Sequence, residues 1–328
     1  MMVIRRTTER AIERGGHVPP SPRMEDTRHG GLRWLDIQSP TRAEMHYLRQ
    51  DYPFHPLDLD DCLSNVQRPK LDAYEEEEYL FLVLHFPLFD PAQRLANPAE
   101  VDIFIGRDYV ITVHDGRLKV LNQLFLSCQS EEAVRNRVMG RGSGYLLYRI
   151  VDRLVDYCFP IMDKVGQHID RVEREIFVRN TRALVQDLSY VRRDIISLRR
   201  IVKPNIPVMR QFEARSFPFL QVDEEVYFGD ILDHANRQWD MLEDYKDIIE
   251  GLNGTLDSLT SHRINEVMKI LTIISVVLLP MTLVASIYGM NLSTLPLAQH
   301  PFSFVLVIGF MALCAAGMLA FFKYKGWI

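Results

Sequence analysis

The chain of 328 residues is poor in cysteine and lacks the short motifs that mark ATP-driven transport or common hydrolytic chemistry. It has no GxxxxGK[ST] loop, which argues against a pump, and neither HExxH nor GxSxG, which makes a hydrolase the least favoured class. The four cysteines are scattered without a CxxC pair, and they fit reduced cytosolic thiols better than a zinc site or a disulfide framework. No signal peptide, organic cofactor or nucleic-acid partner is expected.

Two long apolar runs lie close together near the C-terminus, at about residues 270–290 and 302–322. Each is roughly 20 residues long and has no charge inside, so each can cross a hydrocarbon core of about 30 Å as a helix. The sequence therefore predicts a hairpin through a membrane, in contact with lipid, with residues 291–301 as the connecting loop.

Basic residues flank the two runs unequally. Arg263 and Lys269 precede the first run, Lys323 and Lys325 follow the second, and the connecting loop has neither lysine nor arginine. The positive-inside rule then places both termini in the cytoplasm and the loop outside. We expect a multi-pass protein of the inner (plasma) membrane with a basic cytosolic tail, residues 323–328.

The polar part of the chain divides by pattern. Residues 1–30 are rich in proline, glycine and arginine and are expected to be flexible. Strand and helix signals alternate over residues 31–140, which predicts a mixed α/β domain, with Thr41 as a possible helix cap. Residues 141–222 have charged amphipathic patterns typical of long antiparallel helices, with a break expected at Pro204 and Pro207.

Residues 223–269 have a helical pattern that continues directly into the first apolar run, and we call this segment the stalk. No proline interrupts it before Pro280, so one helix of about 100 Å at 1.5 Å per residue is expected. Apolar residues form a seam, which we expect to meet copies of itself in a symmetric oligomer. The seam residues are Leu232, Ala235, Trp239, Leu242, Tyr245, Ile249, Leu252, Leu256 and Leu259.

The first apolar run has a narrow polar stripe. Its four hydroxyl residues fall within an arc of about 80° on a helix, and Leu279, Met268 and Asn265 lie in line with them. In a ring of such helices the stripes would line a path for a hydrated ion, with Met268 and Leu271 or Thr272 as a dewetting constriction. The alternative is that the hydroxyls bond carbonyls of their own helix or serve close packing. The hydroxyl residues are Thr272, Ser275, Thr282 and Ser286.

The sequence Tyr288-Gly289-Met290-Asn291, at the end of the first run, resembles the YGMN signature of the CorA family of divalent-cation channels. Residues 67–70, 145–152, 227–234, 265–274 and 279–282 are similar to other blocks of that family, in the same order. The resemblance implies a homopentamer with a cytosolic α/β funnel, two long helices that fold back, and a stalk helix that becomes the pore. It implies transport of Mg2+, often of Co2+ or Ni2+, and of Zn2+ in the ZntB branch.

The resemblance also implies roles for particular residues. Gly289, Met290 and Asn291 would form the selectivity filter, where a ring of Asn291 amides accepts hydrogen bonds from the water shell of Mg2+. Four carboxylates would bind regulatory Mg2+ between subunits, so that the ion clamps the ring closed. Asp61 would face Asp230 of a neighbour, and Asp60 and Asp152 would form a second site.

The sequence departs from the family at four points, two of which are Ser286 in place of the usual pore glycine and Leu279 in place of the common pore methionine. Gly254 replaces an aspartate that forms an inner ring in some members, and residues 291–300 have no carboxylate. Passive transport of Mg2+, with feedback closure by cytosolic Mg2+, is the leading interpretation. A Zn2+ transporter of the ZntB type and a membrane-anchored metal sensor that conducts nothing remain as alternatives.

Overall fold

The computed structural model describes residues 23–64, 67–90, 95–177, 181–290 and 301–327. They form two compact units, divided between Glu250 and Gly251. The first is an α/β unit with a helical layer, and the second contains two apolar helices. One helix, Glu224–Tyr288, contributes residues to both units.

A single six-stranded sheet organises the first unit. Its spatial order is β1-β2-β6-β5-β4-β3; β2 and β6 are parallel and every other neighbouring pair is antiparallel. The strands are β1 (Arg23–His29), β2 (Leu32–Gln38), β3 (Lys70–Tyr74), β4 (Tyr79–Asp90), β5 (Leu95–Gly106) and β6 (Tyr109–His114). The structure confirms the predicted α/β class.

The edge strand β1 shows that the expectation of flexibility for residues 1–30 is wrong for residues 23–29. Residues 23–29 pair one by one with β2, while residues 1–22 lie outside the described part of the chain. The strand has charged residues where a half-buried strand would alternate apolar and polar ones, so its pattern gave no signal. It is fastened by backbone pairing and by Asp26, which accepts hydrogen bonds from Arg33 at 3.0 Å and Arg28 at 3.2 Å.

Helices cover both faces of the sheet and extend from it. They are α1 (Arg42–Asp51), α2 (Pro56–Asp61), α3 (Lys119–Ser130), α4 (Glu132–Met139), α5 (Ser143–Asp156), α6 (Phe159–Glu175), α7 (Thr181–Val202), α8 (Asn205–Ala214), α9 (Glu224–Tyr288) and α10 (Ser303–Tyr324). Thr41 caps α1 in a complete capping box with Glu44, as the sequence predicts.

Aromatic side chains fill the space between the sheet and helices α1 and α2. Phe54 stacks on Phe104 with ring centroids 4.2 Å apart, and Tyr79 is fully buried beside them. On the opposite face Trp34 is buried edge-on against Phe125 of α3. Because each face is sealed by large side chains, the register of the strands is fixed firmly.

The predicted break at Pro204 and Pro207 is right for one proline and wrong for the other. Helix α7 ends at Val202 and Pro204 is the N-cap of α8, but Pro207 lies inside the first turn of α8. Proline is tolerated there because the first turn leaves its N–H groups without intrahelical partners. The Asn205 side chain ties α8 to the sheet, since it bonds both the N–H and the carbonyl of His85.

The apolar seam of α9 packs within the chain rather than against copies of itself, at least as far as residue 250. Leu242 and Ile249 are buried by helices of the same unit. Gln238 donates to the Val155 carbonyl of α5 at 2.8 Å, and Arg199 of α7 pairs with Glu243 at 2.6 Å. Apolar periodicity predicts that a face is covered but does not say by which chain, so the expectation of self-association cannot rest on this part of the seam.

The second unit contains residues 251–288 of α9 together with α10. Both helices have apolar windows with a mean hydropathy of 2.5, and none of either window is buried. Lys269 Nζ donates to the Gly326 carbonyl at 3.2 Å, which ties the charged ends of the two helices together. Helices of this length and composition are suited to cross a bilayer.

Two glycines offer a matched test of the packing around α5. An alanine Cβ at position 144 would lie 2.5 Å from Val222 Cγ1 and 2.9 Å from the Leu220 carbonyl oxygen, whereas at Gly251 it would meet nothing within 4 Å. We expect Gly144→Ala to destabilise the protein by about 1–3 kcal/mol through overpacking. Gly251→Ala should stabilise it by up to about 1 kcal/mol through helix propensity. Thermal unfolding of both purified variants, with metal held constant, checks this; equal melting shifts would contradict it.

Candidate functional site

The hydroxyl stripe of α9 lies on a face that the second unit leaves uncovered. Thr272, Ser275, Thr282 and Ser286 are all exposed. The less exposed residues of α9, which include Ile273, Val277 and Val284, lie on the opposite side of the helix. Among the described residues of this unit the other helix is α10, and it lies near the start of the stripe, because Thr272 and Val276 line a pocket together with α10 residues. The later stripe residues Ser275, Thr282 and Ser286 are exposed and free to face something else.

Two of the four hydroxyls use their protons within the helix. Thr272 Oγ1 donates to the Met268 carbonyl at 2.8 Å, and Thr282 Oγ1 donates to the Leu278 carbonyl at 2.9 Å. The alternative interpretation, in which the hydroxyls bond carbonyls of their own helix, is therefore correct for these two protons. A hydroxyl oxygen also has two lone pairs, which stay available to accept hydrogen bonds from water. The stripe can thus present acceptors to a hydrated cation.

Large apolar side chains lie on or beside the same face. Met268 is 54%, Leu271 55% and Leu279 69% exposed, and Asn265 is exposed one turn before Met268. A ring of thioether and aliphatic groups cannot replace the hydration of an ion. Their exposure in one chain is compatible with a constriction built from several chains.

Gly289 directly follows the end of helix α9 at Tyr288. Gly289 N–H donates to the Ala285 carbonyl at 2.9 Å, and a Cβ at Gly289 would approach that oxygen to 3.1 Å. Gly289 is not among the glycines with positive φ. Gly289 lies in a turn after the helix, where Met290 N–H donates to the Ile287 carbonyl at 3.2 Å. A residue without a Cβ suits the close backbone approach at this turn. Met290 is exposed, and Asn291 lies outside the described residues.

A cytosolic group of carboxylates and one imidazole joins helices α5 and α9. Oxygens of Asp152 and Asp156 and a ring nitrogen of His234 all lie within 4.8 Å of one another, close enough to hold one metal ion. His234 Nδ1 is 3.4 Å from Asp156 Oδ1 but makes no hydrogen bond to any described residue. Asp230, one turn before His234, accepts a hydrogen bond from the Tyr148 hydroxyl at 3.1 Å.

The electrostatics of this group favour a bound cation. Burial raises the pKa of the Asp152 carboxyl, and the neighbouring Asp156 and Asp230 raise it further, while Arg149 opposes them from 3.3 Å. Burial, followed by the charge of Asp152, raises the pKa of Tyr148 to about 12. Several negative groups therefore share a region with too little positive charge, which a divalent ion would relieve.

Asp60 and Asp61 belong to a different part of the first unit, at the end of α2. Asp60 is exposed. Asp61 is paired with Lys70 Nζ at 2.8 Å, and Lys70 also contacts Asp72 at 2.6 Å. Burial alone would lower the pKa of Lys70, but the Asp61 and Asp72 contacts raise it overall, so the lysine stays charged. Asp61 thus already has a cation beside it within its own chain.

Comparison with known proteins decides the family. A family model described as CorA-like Mg2+ transporter protein matches residues 29–324. The chain belongs to the CorA family. It is accordingly a divalent-cation transporter and not an enzyme, with two C-terminal helices in the inner membrane and a cytoplasmic N-terminal unit.

Two relatives each match nine-tenths of this CorA-family chain, and a third matches less of it. YfjQ of Bacillus subtilis is 32% identical over 298 residues, which are 90% of this chain and 89% of YfjQ. The cobalt/magnesium transport protein CorA of Thermotoga maritima is 29% identical over 299 residues, 90% of this chain and 83% of the relative. The zinc transport protein ZntB of Pectobacterium atrosepticum is 23% identical and matches 70% of this chain and 68% of its own.

A solved structure supports the fold independently. The complete CorA magnesium transporter of Methanocaldococcus jannaschii aligns with a TM-score of 0.79 at 22% identity, covering 92% of this chain and 93% of that one. The likeness confirms the predicted architecture of an α/β unit, a long helix and two apolar C-terminal helices. The long helix of this architecture is α9, which ends at Tyr288.

Among the predicted metal residues, the structure brings Asp152 and Asp230 into one group and leaves Asp60 and Asp61 in another. Sequence reasoning missed His234 and Asp156 as members of the first group. A helical signal was available, because each lies four residues after a predicted ligand and so on the same helix face. Without the fold, nothing indicated that the two faces meet.

Because His234 contributes an imidazole, we expect this group to bind different metal ions with different affinities. Co2+ and Ni2+ bind imidazole well, whereas Mg2+ prefers oxygen ligands. We expect His234→Ala to raise the Co2+ concentration that protects the cytosolic unit from trypsin, while the Mg2+ concentration changes little. His168→Ala, an exposed histidine on α6, is the matched control. Equal losses for Co2+ and Mg2+ would show that His234 is not a metal ligand.

Proposed function

We propose that this chain forms a homopentamer that conducts hydrated Mg2+, and also Co2+ or Ni2+, along a path lined by five copies of the α9 stripe. Residues 31–140 and 141–222 form the cytosolic funnel, and residues 291–301 the outer loop. Transport is passive and driven by the membrane potential. Cytosolic Mg2+ closes the pore by binding between subunits, so that Mg2+ is both the transported and the regulatory ion.

The observation that carries this proposal is the uncovered hydroxyl stripe. The stripe runs along residues 272–286 of α9, whose other faces are apolar there, and the least exposed residues of this segment lie on the opposite side. A single helix cannot enclose a path, but copies related by a rotation axis would turn their stripes towards one another. Hydroxyl oxygens and the Asn265 side chain would then support the water shell of the ion without trapping it.

Selection of Mg2+ would take place where α9 ends. Mg2+ gives up its water reluctantly, so neutral acceptors that bind the hydrated ion suit it better than carboxylates that bind it directly. In the proposal Gly289 lets the helix end closely packed, Met290 and the glycine carbonyl shape the opening, and Asn291 supplies the ring of amide oxygens. The absence of charge in the stripe keeps the ion from binding too tightly to leave.

The chemistry of the stripe favours a hard, hydrated ion over zinc. Preference for Zn2+ normally comes from thiolate or imidazole ligands, and the stripe has neither. The match to ZntB also covers less of this chain than the match to a cobalt/magnesium transport protein. A metal sensor that conducts nothing would share the cytosolic group, so measured flux separates it from a channel.

Regulation would use both groups of carboxylates. Asp61 and Asp60 of one subunit would meet Asp230 and Asp152 of the next, and Mg2+ between them would remove the repulsion of the bare carboxylates. Loss of Mg2+ would loosen the ring. Lys70 modifies this scheme, because its ammonium competes with Mg2+ for Asp61.

Asn291→Ala tests the selectivity step. We expect it to abolish Mg2+ uptake into proteoliposomes while the oligomer remains intact by native mass spectrometry, since the amide ring is lost without any core contact. Asn253→Ala, on the cytosolic part of α9, should transport like wild type. Normal Mg2+ uptake by Asn291→Ala would remove Asn291 from the mechanism.

Lys70→Met tests the competition at Asp61. Removing the ammonium should lower the Mg2+ concentration that protects the protein from trypsin by roughly threefold to tenfold, as expected for a partly buried ion pair of about 1 kcal/mol. Lys164→Met, on the exposed surface of α6, should leave that concentration unchanged. If Lys70→Met requires more Mg2+, the lysine supports the site instead of competing for it.

Met268→Asp tests the constriction. Five carboxylates would wet the neck and attract cations, so basal Mg2+ flux at high internal Mg2+ should rise. Met268→Leu nearly keeps volume and polarity and should change flux little. Stopped-flow measurement with a Mg2+-sensitive dye decides, and an intact Asp variant with wild-type flux would place the gate elsewhere, with Leu279 the next candidate.

A further inference from the structure

A cavity of about 410 Å³ lies between helices α3, α4 and α5 of the first unit. Three arginines line it, Arg137 from α4 and Arg149 and Arg153 from α5. Because Arg149 and Arg153 are four residues apart, they lie on the same face of their helix. The described residues that line the cavity include no carboxylate. Three positive charges therefore share one cavity whose wall has no negative charge to balance them.

The side chain of Arg149 has one neighbour of opposite charge and one unsatisfied edge. Its Nη1 lies 3.3 Å from Asp152 Oδ2, and the side chain is 34% exposed. Its Nε atom is buried and makes no hydrogen bond to a described residue. An unpaired buried donor of this kind costs free energy. A turn of the guanidinium towards the adjoining cavity would let this edge donate to a bound anion.

The rest of the cavity wall is mainly apolar. Four aliphatic side chains and two neutral polar ones complete it: Val120, Leu124, Val134, Val138, Gln123 and Ser127. Sites for small molecules typically have a volume of about 300–1,000 Å³, apolar walls and a few polar groups that fix the orientation of the ligand. The cavity therefore suits an anionic group that is attached to an apolar one.

A phosphate fits the three arginines better than a carboxylate does. A phosphomonoester carries a charge of about −1.5 to −2 at pH 7 and has three strong acceptor oxygens. A guanidinium group donates two parallel hydrogen bonds to a phosphate, and its planar fork matches the spacing of the oxygens. A carboxylate has two oxygens and a single charge, so it would leave part of this positive charge unbalanced.

We propose that this cavity binds a small organic phosphate, with its phosphate among Arg137, Arg149 and Arg153 and its organic part against the aliphatic wall. A nucleoside phosphate has this chemistry, because its base offers a flat, largely apolar surface. The site lies within one chain, so it depends neither on conduction nor on assembly.

The ion pair between Arg149 and Asp152 connects this cavity to the carboxylate group around His234. A bound phosphate and the Asp152 carboxylate would compete for the same guanidinium. With Arg149 drawn away, Asp152 has less positive charge beside it, so its group would attract a divalent cation more strongly. This link rests on the regulatory role proposed above for Asp152, whereas phosphate binding itself does not.

Fluorescent N-methylanthraniloyl-ADP is the probe, and its anisotropy is measured with full-length protein in nonionic detergent. EDTA is present, so that no metal ion can bridge the phosphate to a carboxylate. We expect saturable binding of one equivalent per chain. AMP should displace the probe at lower concentration than inorganic phosphate does, and adenosine should not displace it. Arg137→Gln combined with Arg153→Gln should weaken binding by about tenfold or more.

Matched variants separate this site from general attraction of anions. Arg49→Gln combined with Arg174→Gln removes two exposed arginines elsewhere in the same unit and should bind the probe like wild type. A wild type without saturable binding, equal weakening by the two double variants, or equal displacement by AMP and inorganic phosphate overturns the proposal.

Asp152→Asn tests the link between the cavity and the carboxylate group. Removing the competing carboxylate should tighten probe binding by about twofold to fivefold, as expected for a partly exposed ion pair. Asp163→Asn, on the exposed surface of α6, should leave probe binding unchanged. If Asp152→Asn binds the probe no more tightly than Asp163→Asn, the link to Asp152 is wrong, while the result for the arginine variants still decides the phosphate site.

Discussion

The strong hydration of a divalent cation is the constraint on which the rest of the structure depends. Such an ion cannot enter hydrocarbon, and it gives up its water only to ligands that would then hold it too long to conduct. The apolar part of helix α9 meets this constraint with an exposed stripe of neutral hydroxyl acceptors, and its least exposed residues lie on the opposite side of the helix. In the proposed oligomer, several copies of the stripe would together line one path. The transport function and the proposed assembly therefore follow from one property of the ion.

The cytosolic unit treats charge differently from the membrane unit. Its carboxylates are numerous, and two of the predicted metal ligands have a cation beside them within the chain, Lys70 for Asp61 and Arg149 for Asp152. In the proposed regulation these contacts would reduce the repulsion that a bound ion relieves, and so would set how much Mg2+ is needed. The same logic extends to His234, which adds a nitrogen ligand to a group of oxygen donors. Small changes around the acids can thus adjust ion sensitivity without altering the pore.

Much of the architecture could be predicted from the sequence because it depends on strong, local patterns. Apolar runs predict the two spanning helices, and alternating strands and helices predict the α/β unit. The failures have physical causes. Strand β1 is fastened by backbone pairing and Asp26, which hydropathy does not register. The seam around Leu242 is buried as predicted, but its partner is in the same chain. His234 joins Asp152 only because the fold brings two helix faces together.

The most direct test of the central claim is whether the stripe faces the ion path. In a Cys314→Ala background, Thr282→Cys and Val284→Cys would be reconstituted in proteoliposomes and treated with a cationic, membrane-impermeant thiol reagent. Thr282 is on the exposed stripe, and Val284 is partly buried on the opposite side of α9. The account predicts that the reagent blocks Mg2+ flux through Thr282→Cys and leaves Val284→Cys conducting. Unchanged flux in the modified Thr282→Cys variant, or equal block of both, would contradict it.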